Sequence, residues 1–208
     1  MLILSLSTGY NTEWALPVIK QWLPRKHERL PKIRLMFVWF GANDSTLPHS
    51  PQSLTLARFK ENLHTIVSLL RSPSSPYSSP STKIVLITPP PVDGNKRAAD
   101  LLARDPPRQP DRDVARTREF ARAVEEVAKE VGSPSVDVWT AIDEAAKEDG
   151  GKLDRFLSDG LHLTPAGYRV VTDAIIATIE RDLPELHWDK LEQTFPHWLH
   201  WIPAASRF

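Results

Sequence analysis

Two short polar turns in this chain carry side chains able to act on a carbonyl group. Gly41-Ala42-Asn43-Asp44 directly follows the apolar run ending at Phe40. An asparagine in a glycine-opened turn at a strand's carboxyl end can aim its amide into a cleft, as a donor to negative charge developing on oxygen. It can equally close an Asx turn and do nothing more. The second turn, Asp159-Gly160-Leu161-His162, sets a carboxylate three residues before an imidazole. A carboxylate on one ring nitrogen leaves the other as an acceptor, which a general base requires. The same residues also fit a turn closed by aspartate, or a histidine simply facing solvent. A third segment, Ser7-Thr8-Gly9-Tyr10-Asn11-Thr12, offers the Gly9 backbone N–H at a helix start. The other histidines, at 27, 49, 64, 187, 197 and 200, have no HExxH or similar pairing, so no metal site is expected.

Positioning these turns requires alternating strands and helices. Leu2 to Leu6, Ile33 to Phe40 and Lys83 to Thr88 are short apolar runs bounded by turn signals or proline, expected as buried parallel strands, with Ser135 to Trp139 a weaker fourth. Helices are expected over about 12–23, 53–71, 111–131, 140–148 and 165–182. In the third of these spans, 111–131, Val114, Phe120, Val124, Val127 and Val131 recur at helical steps. The last helix should be capped by Thr164 with Pro165 at its first position. Such alternation predicts an α/β domain with a parallel sheet, whose ligands gather at the strands' carboxyl ends. The Ser/Pro-rich stretch 71–82 reads as a surface loop, Pro89 to Pro110 as a Pro-broken connection able to wall a cleft, and 188–208 as an aromatic arm lying on the body or exposed to a partner or lipid.

Composition narrows the partners. The 208 residues fit a single domain spanning 1–208, and 26 basic residues balance 26 acidic ones, leaving no broad charge for nucleic acid or an anionic membrane. With no cysteine, disulfides and thiol chemistry are excluded. Neither a signal peptide nor a membrane span is legible, so the chain reads as soluble and cytoplasmic.

Taken together, in order and spacing, the turns resemble the sequence blocks of the SGNH (GDSL) hydrolase superfamily. Gly9-Tyr10-Asn11-Thr12 resembles its glycine block, Gly41-Ala42-Asn43-Asp44 its GxND block and Asp159-Gly160-Leu161-His162 its DGxH block. GYNTEWAL, FGAND, PPPVD and DGLHLTPAGY are similar to the isoamyl acetate-hydrolysing esterase branch. The resemblance implies a three-layer α/β/α, flavodoxin-like fold acting on small carboxylic esters by acyl transfer, without cofactor. It implies His162 as general base, Asp159 as its orienting carboxylate, and the Asn43 side chain and Gly9 N–H as oxyanion donors.

One block lacks a counterpart. The superfamily's GDS serine, at the end of its first strand, precedes the glycine block by some tens of residues, whereas only eight residues precede Gly9 and neither GDS nor GxSxG occurs. The expectation is an N-terminally shortened chain without its nucleophile and of low stability, with either Leu2 to Leu6 in the place of the lost strand or a gap there. Ser5 and Ser7 are the substitutes to weigh. A non-catalytic module that keeps the pocket and binds small acyl compounds or a protein is the other reading. A nucleotide-binding α/β domain is disfavoured, because no Gly-rich phosphate loop follows a strand.

Overall fold

The computed structural model describes residues 9–191. The expected strand Leu2 to Leu6, Ser5, Ser7 and the arm beyond residue 191 lie outside the described residues. Within them, β1 (Leu35–Trp39), β2 (Lys83–Ile87) and β3 (Ser135–Val136) form a parallel sheet in the order β1-β2-β3. Around it lie α1 (Thr12–Trp22), α2 (Leu56–Arg71), α3 (Gly94–Leu102), α4 (Val114–Glu130), α5 (Val138–Glu148) and α6 (Pro165–Asp182).

The central strand shows why there are three layers. Its side chains alternate, Ile84 and Leu86 facing one way and Val85 and Ile87 the other, and all four are buried. A strand buried on both faces needs a helical layer on each. On the first face Ile84 and Leu86 meet Phe59, Leu63 and Ile66 of α2 and Phe120, Val124 and Val127 of α4. The Phe59 and Phe120 rings lie 4.9 Å apart between centroids. On the second face Val85 and Ile87 meet Ile142 of α5, Val171 of α6 and Phe156 before it. This is the expected open α/β/α arrangement.

Helix starts follow their caps. Thr55 accepts from the Arg58 N–H, Asp113 from Arg116 and Thr164 from Gly167, with Pro165 opening α6 as expected. Two expectations fail locally. The strand expected over Ser135 to Trp139 stops at Val136, because Asp137 caps α5 by accepting from the Thr140 N–H and Trp139 is helical. The connection from Pro89 to Pro110 contains α3, capped by Asp93, whose carboxylate accepts from the Lys96 N–H. Its buried residues are Arg97 and Leu101, so no apolar stripe marks it in the sequence. In the stretch after α2, Ser75 and Ser79 bond back to the last turn of that helix, and Tyr77, 9% exposed, joins the core. Among the described residues, no helix is long and apolar enough to cross a membrane.

Candidate active site

The turn after β1 is held from beneath by its own aspartate. Gly41 adopts φ +112°, and a Cβ there would lie 3.0 Å from the Pro89 ring. This left-handed conformation and close approach favour glycine. Asp44 is fully buried. Its Oδ1 accepts from the Thr12 N–H at 2.8 Å and the Thr12 hydroxyl at 2.6 Å, and its Oδ2 from the Gly41 N–H at 3.1 Å. Burial pushes the Asp44 carboxyl above its ordinary range, although these donors pull the other way. The contacts join the first turn of α1 to the carboxyl end of β1.

Asn43 is left facing outward from that clamp. Its Nδ2 donates to the Tyr10 carbonyl at 2.9 Å, and its Oδ1 accepts from Arg112 Nη2 at 3.3 Å. An amide nitrogen carries two hydrogens, so a second N–H remains beyond the bond to Tyr10. Gly9 lies beside it at φ +84°, its carbonyl accepting from Gln52 Nε2 at 2.6 Å. Asn11 caps α1 through the Trp14 N–H and donates to the Gln52 carbonyl. The segment 9–12 and the turn 41–44 therefore come together as one unit.

The second turn uses the two oxygens of Asp159 for two tasks. Oδ1 accepts from the Leu161 N–H at 3.0 Å and the His162 N–H at 2.8 Å, closing an Asx turn. Oδ2 lies 2.8 Å from His162 Nδ1 and accepts from Arg97 Nη1 at 2.6 Å. Turn closure and ring orientation are thus not alternatives here. Burial alone would raise the Asp159 carboxyl, but the His162 backbone N–H, its ring and the Leu161 N–H outweigh it and bring the pKa down to about 2. An ionised carboxylate is only an acceptor, so Nδ1 is the nitrogen that donates to it, and in the neutral ring Nε2 is then the acceptor. The His162 side chain is 66% exposed and Asp159 only 17%.

Helix α3 docks this turn. The Asp93 N–H donates to the Gly160 carbonyl at 2.9 Å, and Lys96 Nζ donates to the Leu157 carbonyl at 3.0 Å. A Cβ on Gly160 would lie 2.5 Å from the Asp93 carbonyl oxygen and 2.6 Å from the Arg97 nitrogen, at φ +82°. Gly160→Ala is expected to cost about 2 kcal/mol or more in urea unfolding, from backbone strain plus this clash. A change below about 0.5 kcal/mol would mean the docking is not as tight as drawn.

Asp159→Asn tests the charge directly. A carboxylate held near 2 in the folded chain and near its ordinary 3.8 when unfolded stabilises the fold above about pH 4 and loses that contribution as pH falls toward 2. The variant should be less stable by about 2 kcal/mol at pH 7, with the deficit shrinking as pH falls through 2 and gone only below it. A pH-independent deficit would contradict the assignment.

Both motif turns lie beyond the carboxyl ends of strands, the turn 41–44 leaving β1 and the turn 159–162 resting on the segment that leaves β2. Arg97, Asp111 and Arg112, which no motif marked, lie between them. Depressions of about 530 Å³ beside Leu23 and Tyr77, and between α5 and α6, are lined by neither Asn43 nor His162. Among the described residues no group of three or more metal-ligating side chains occurs.

Known proteins are similar to this chain in sequence and in fold. The sequence pattern of the GDSL-like Lipase/Acylhydrolase family matches residues 7–170. The chain belongs to that family. An isoamyl acetate-hydrolyzing esterase 1 homolog of Bos taurus is 32% identical over 193 residues, covering 92% of this chain and 71% of that protein. A GDSL esterase/lipase of Arabidopsis thaliana is 32% identical over 198 residues, covering 92% and 76%. Among solved structures, the lipase/acylhydrolase from Enterococcus faecalis superposes with a TM-score of 0.58 at 26% identity, over 83% of this chain and 71% of that one. The GDSL family and the open α/β fold agree with the resemblance read from the sequence.

Proposed function

We propose that the site hydrolyses small carboxylic esters of the acetate type by acyl transfer, with His162 as general base and Asp159 holding its ring. Asn43 Nδ2 and the Gly9 N–H serve as donors to the tetrahedral oxyanion. A hydroxyl attacks the ester carbonyl and loses its proton to His162 Nε2, the alcohol leaves with that proton, and water then releases the acid by the same route. The observation that carries the reading is the contact between His162 Nδ1 and the ionised Asp159, which leaves Nε2 a lone pair at an exposed position. The names of the relatives, esterases and an acylhydrolase, support the same chemistry.

The attacking hydroxyl is proposed to come from outside residues 9–191. No GDS sequence occurs in the chain, and among the described residues no hydroxyl is bonded to the His162 ring. That same observation favours the second reading, a non-catalytic pocket for small acyl compounds. Hydrolysis of p-nitrophenyl acetate, measured on residues 1–208 and on the same chain joined to a GDS-bearing strand of a family member, separates them. Turnover by the extended chain alone is the expected result. A folded extended chain that stays inert would leave the binding module, and fluorophosphonate labelling of residues 1–208 at Ser5 or Ser7 would move the nucleophile there.

A further inference from the structure

Asn43 and His162 are 119 positions apart in sequence, yet one line of charged groups runs from one to the other. Arg112 Nη2 donates to Asn43 Oδ1 at 3.3 Å, and Arg112 Nη1 lies 2.8 Å from Asp111 Oδ2. The other oxygen of Asp111 accepts from Arg97 Nε at 3.3 Å, and Arg97 Nη1 reaches Asp159 Oδ2 at 2.6 Å, the oxygen that also holds the His162 ring. Asp100 and Arg104 flank the line, Asp100 bonding Arg97 at 3.3 Å and Arg104 at 2.6 Å. Residues 97, 100, 104, 111 and 112 all come from the connection between β2 and α4.

The arginines are too deeply placed for ordinary surface pairing. The side chains of Arg97 and Arg112 are 7% and 2% exposed. Burying charges is costly before pairing offsets it, so stability alone is a poor reason for such a line. Orientation is a better one. A guanidinium has only donors, so Arg112 can meet Asn43 only through Oδ1, which turns Nδ2 toward Tyr10 and away from Arg112. Arg97 likewise fixes the rotation of the Asp159 carboxylate, leaving Oδ1 to close the turn and Oδ2 to take the ring.

We propose that Asp111 couples two positioning arginines, Arg112 behind Asn43 and Arg97 behind Asp159, so that the amide and the imidazole are oriented together. The use of that coupling, joint alignment of oxyanion donor and base, rests on the esterase reading; the coupling itself does not. Asp111 is the keystone because, among the described residues, it alone touches both arginines with separate oxygens.

The test is nitrogen-15 NMR on the full chain, reading the Asn43 side-chain NH2 and the His162 ring nitrogens. Asp111→Asn keeps the shape and removes the charge. Both sets of resonances should move, with Asn43 NH2 exchange at least about tenfold faster, since a paired amide exchanges only when its contact opens. Asp100→Asn, which touches Arg97 from outside the line, should leave Asn43 unmoved. A folded Asp111→Asn chain in which either end is unchanged overturns the coupling. If that variant does not fold, Arg112→Lys answers, because an ammonium cannot bridge Asp111 and Asn43 as the fork does. Both ends should again respond, and a response confined to Asn43 would reduce the line to two separate local contacts. Unmoved resonances beside full hydrolysis by the extended chain would sink the coupling alone; moved resonances in a hydrolytically inert chain would sink the esterase reading alone.

Discussion

Replacing His162 by alanine in the chain extended with a GDS strand is expected to lower kcat for p-nitrophenyl acetate by about 10⁴- to 10⁶-fold. The size follows from the ring's place in the proposed reaction. A serine hydroxyl is a weak nucleophile near neutral pH, and it attacks at a useful rate only if its proton is taken as the bond forms. His162 Nε2 is the group placed for that transfer, because Asp159 holds the hydrogen on Nδ1. The effect should fall on kcat more than KM, since the ring is called upon in the transition state rather than in ester binding. The fold should survive. The side chain is 66% exposed, and the turn is closed by the His162 backbone N–H, which alanine keeps. Unfolding that matches the parent, beside lost turnover, would assign the loss to chemistry.

Replacing Asn43 by alanine should cost about 10²- to 10³-fold in kcat, the usual effect of removing one donor to a developing oxyanion. Alanine does a second thing here, for it also leaves Arg112 Nη2 and the Tyr10 carbonyl without their Asn43 contacts. Loss of stability could then be mistaken for loss of catalysis. Asn43→Asp separates the two, because aspartate keeps an oxygen for Arg112 while removing the N–H. Comparable turnover loss in both variants, with Arg112 satisfied only in the aspartate, is the expected pattern. An aspartate variant with near-parent kcat would remove Asn43 from the oxyanion site.

The strands and long helices were legible because their buried faces are apolar at the right period. Val85 and Ile87 against Ile84 and Leu86, or Phe59, Leu63 and Ile66 along α2, can be read directly from spacing. α3 was not, since its buried residues are Arg97 and Leu101, and one leucine beside a buried cation makes no hydrophobic period to detect. β3 was read too long because Val136, Val138 and Trp139 suit a strand, while Asp137 stops it by capping a helix. The two turns were visible as motifs, but their detail was not. Asp159 serves both the turn and the ring through different oxygens, and Asp44, beside the asparagine, is the clamp onto Thr12. The arginine line was hidden for a simpler reason. Arg112 and Arg97 find Asn43 and Asp159 across 69 and 62 positions of sequence, and nothing local distinguishes them from surface arginines.

In the proposed reaction the imidazole of the turn 159–162 activates the attacking hydroxyl. The rate at which a fluorophosphonate labels the extended chain measures that activation without depending on ester choice. One label per chain on the GDS serine is predicted, formed at least about a hundredfold more slowly in His162→Ala, as expected when a general base is removed. Equal labelling rates in the two chains would contradict it.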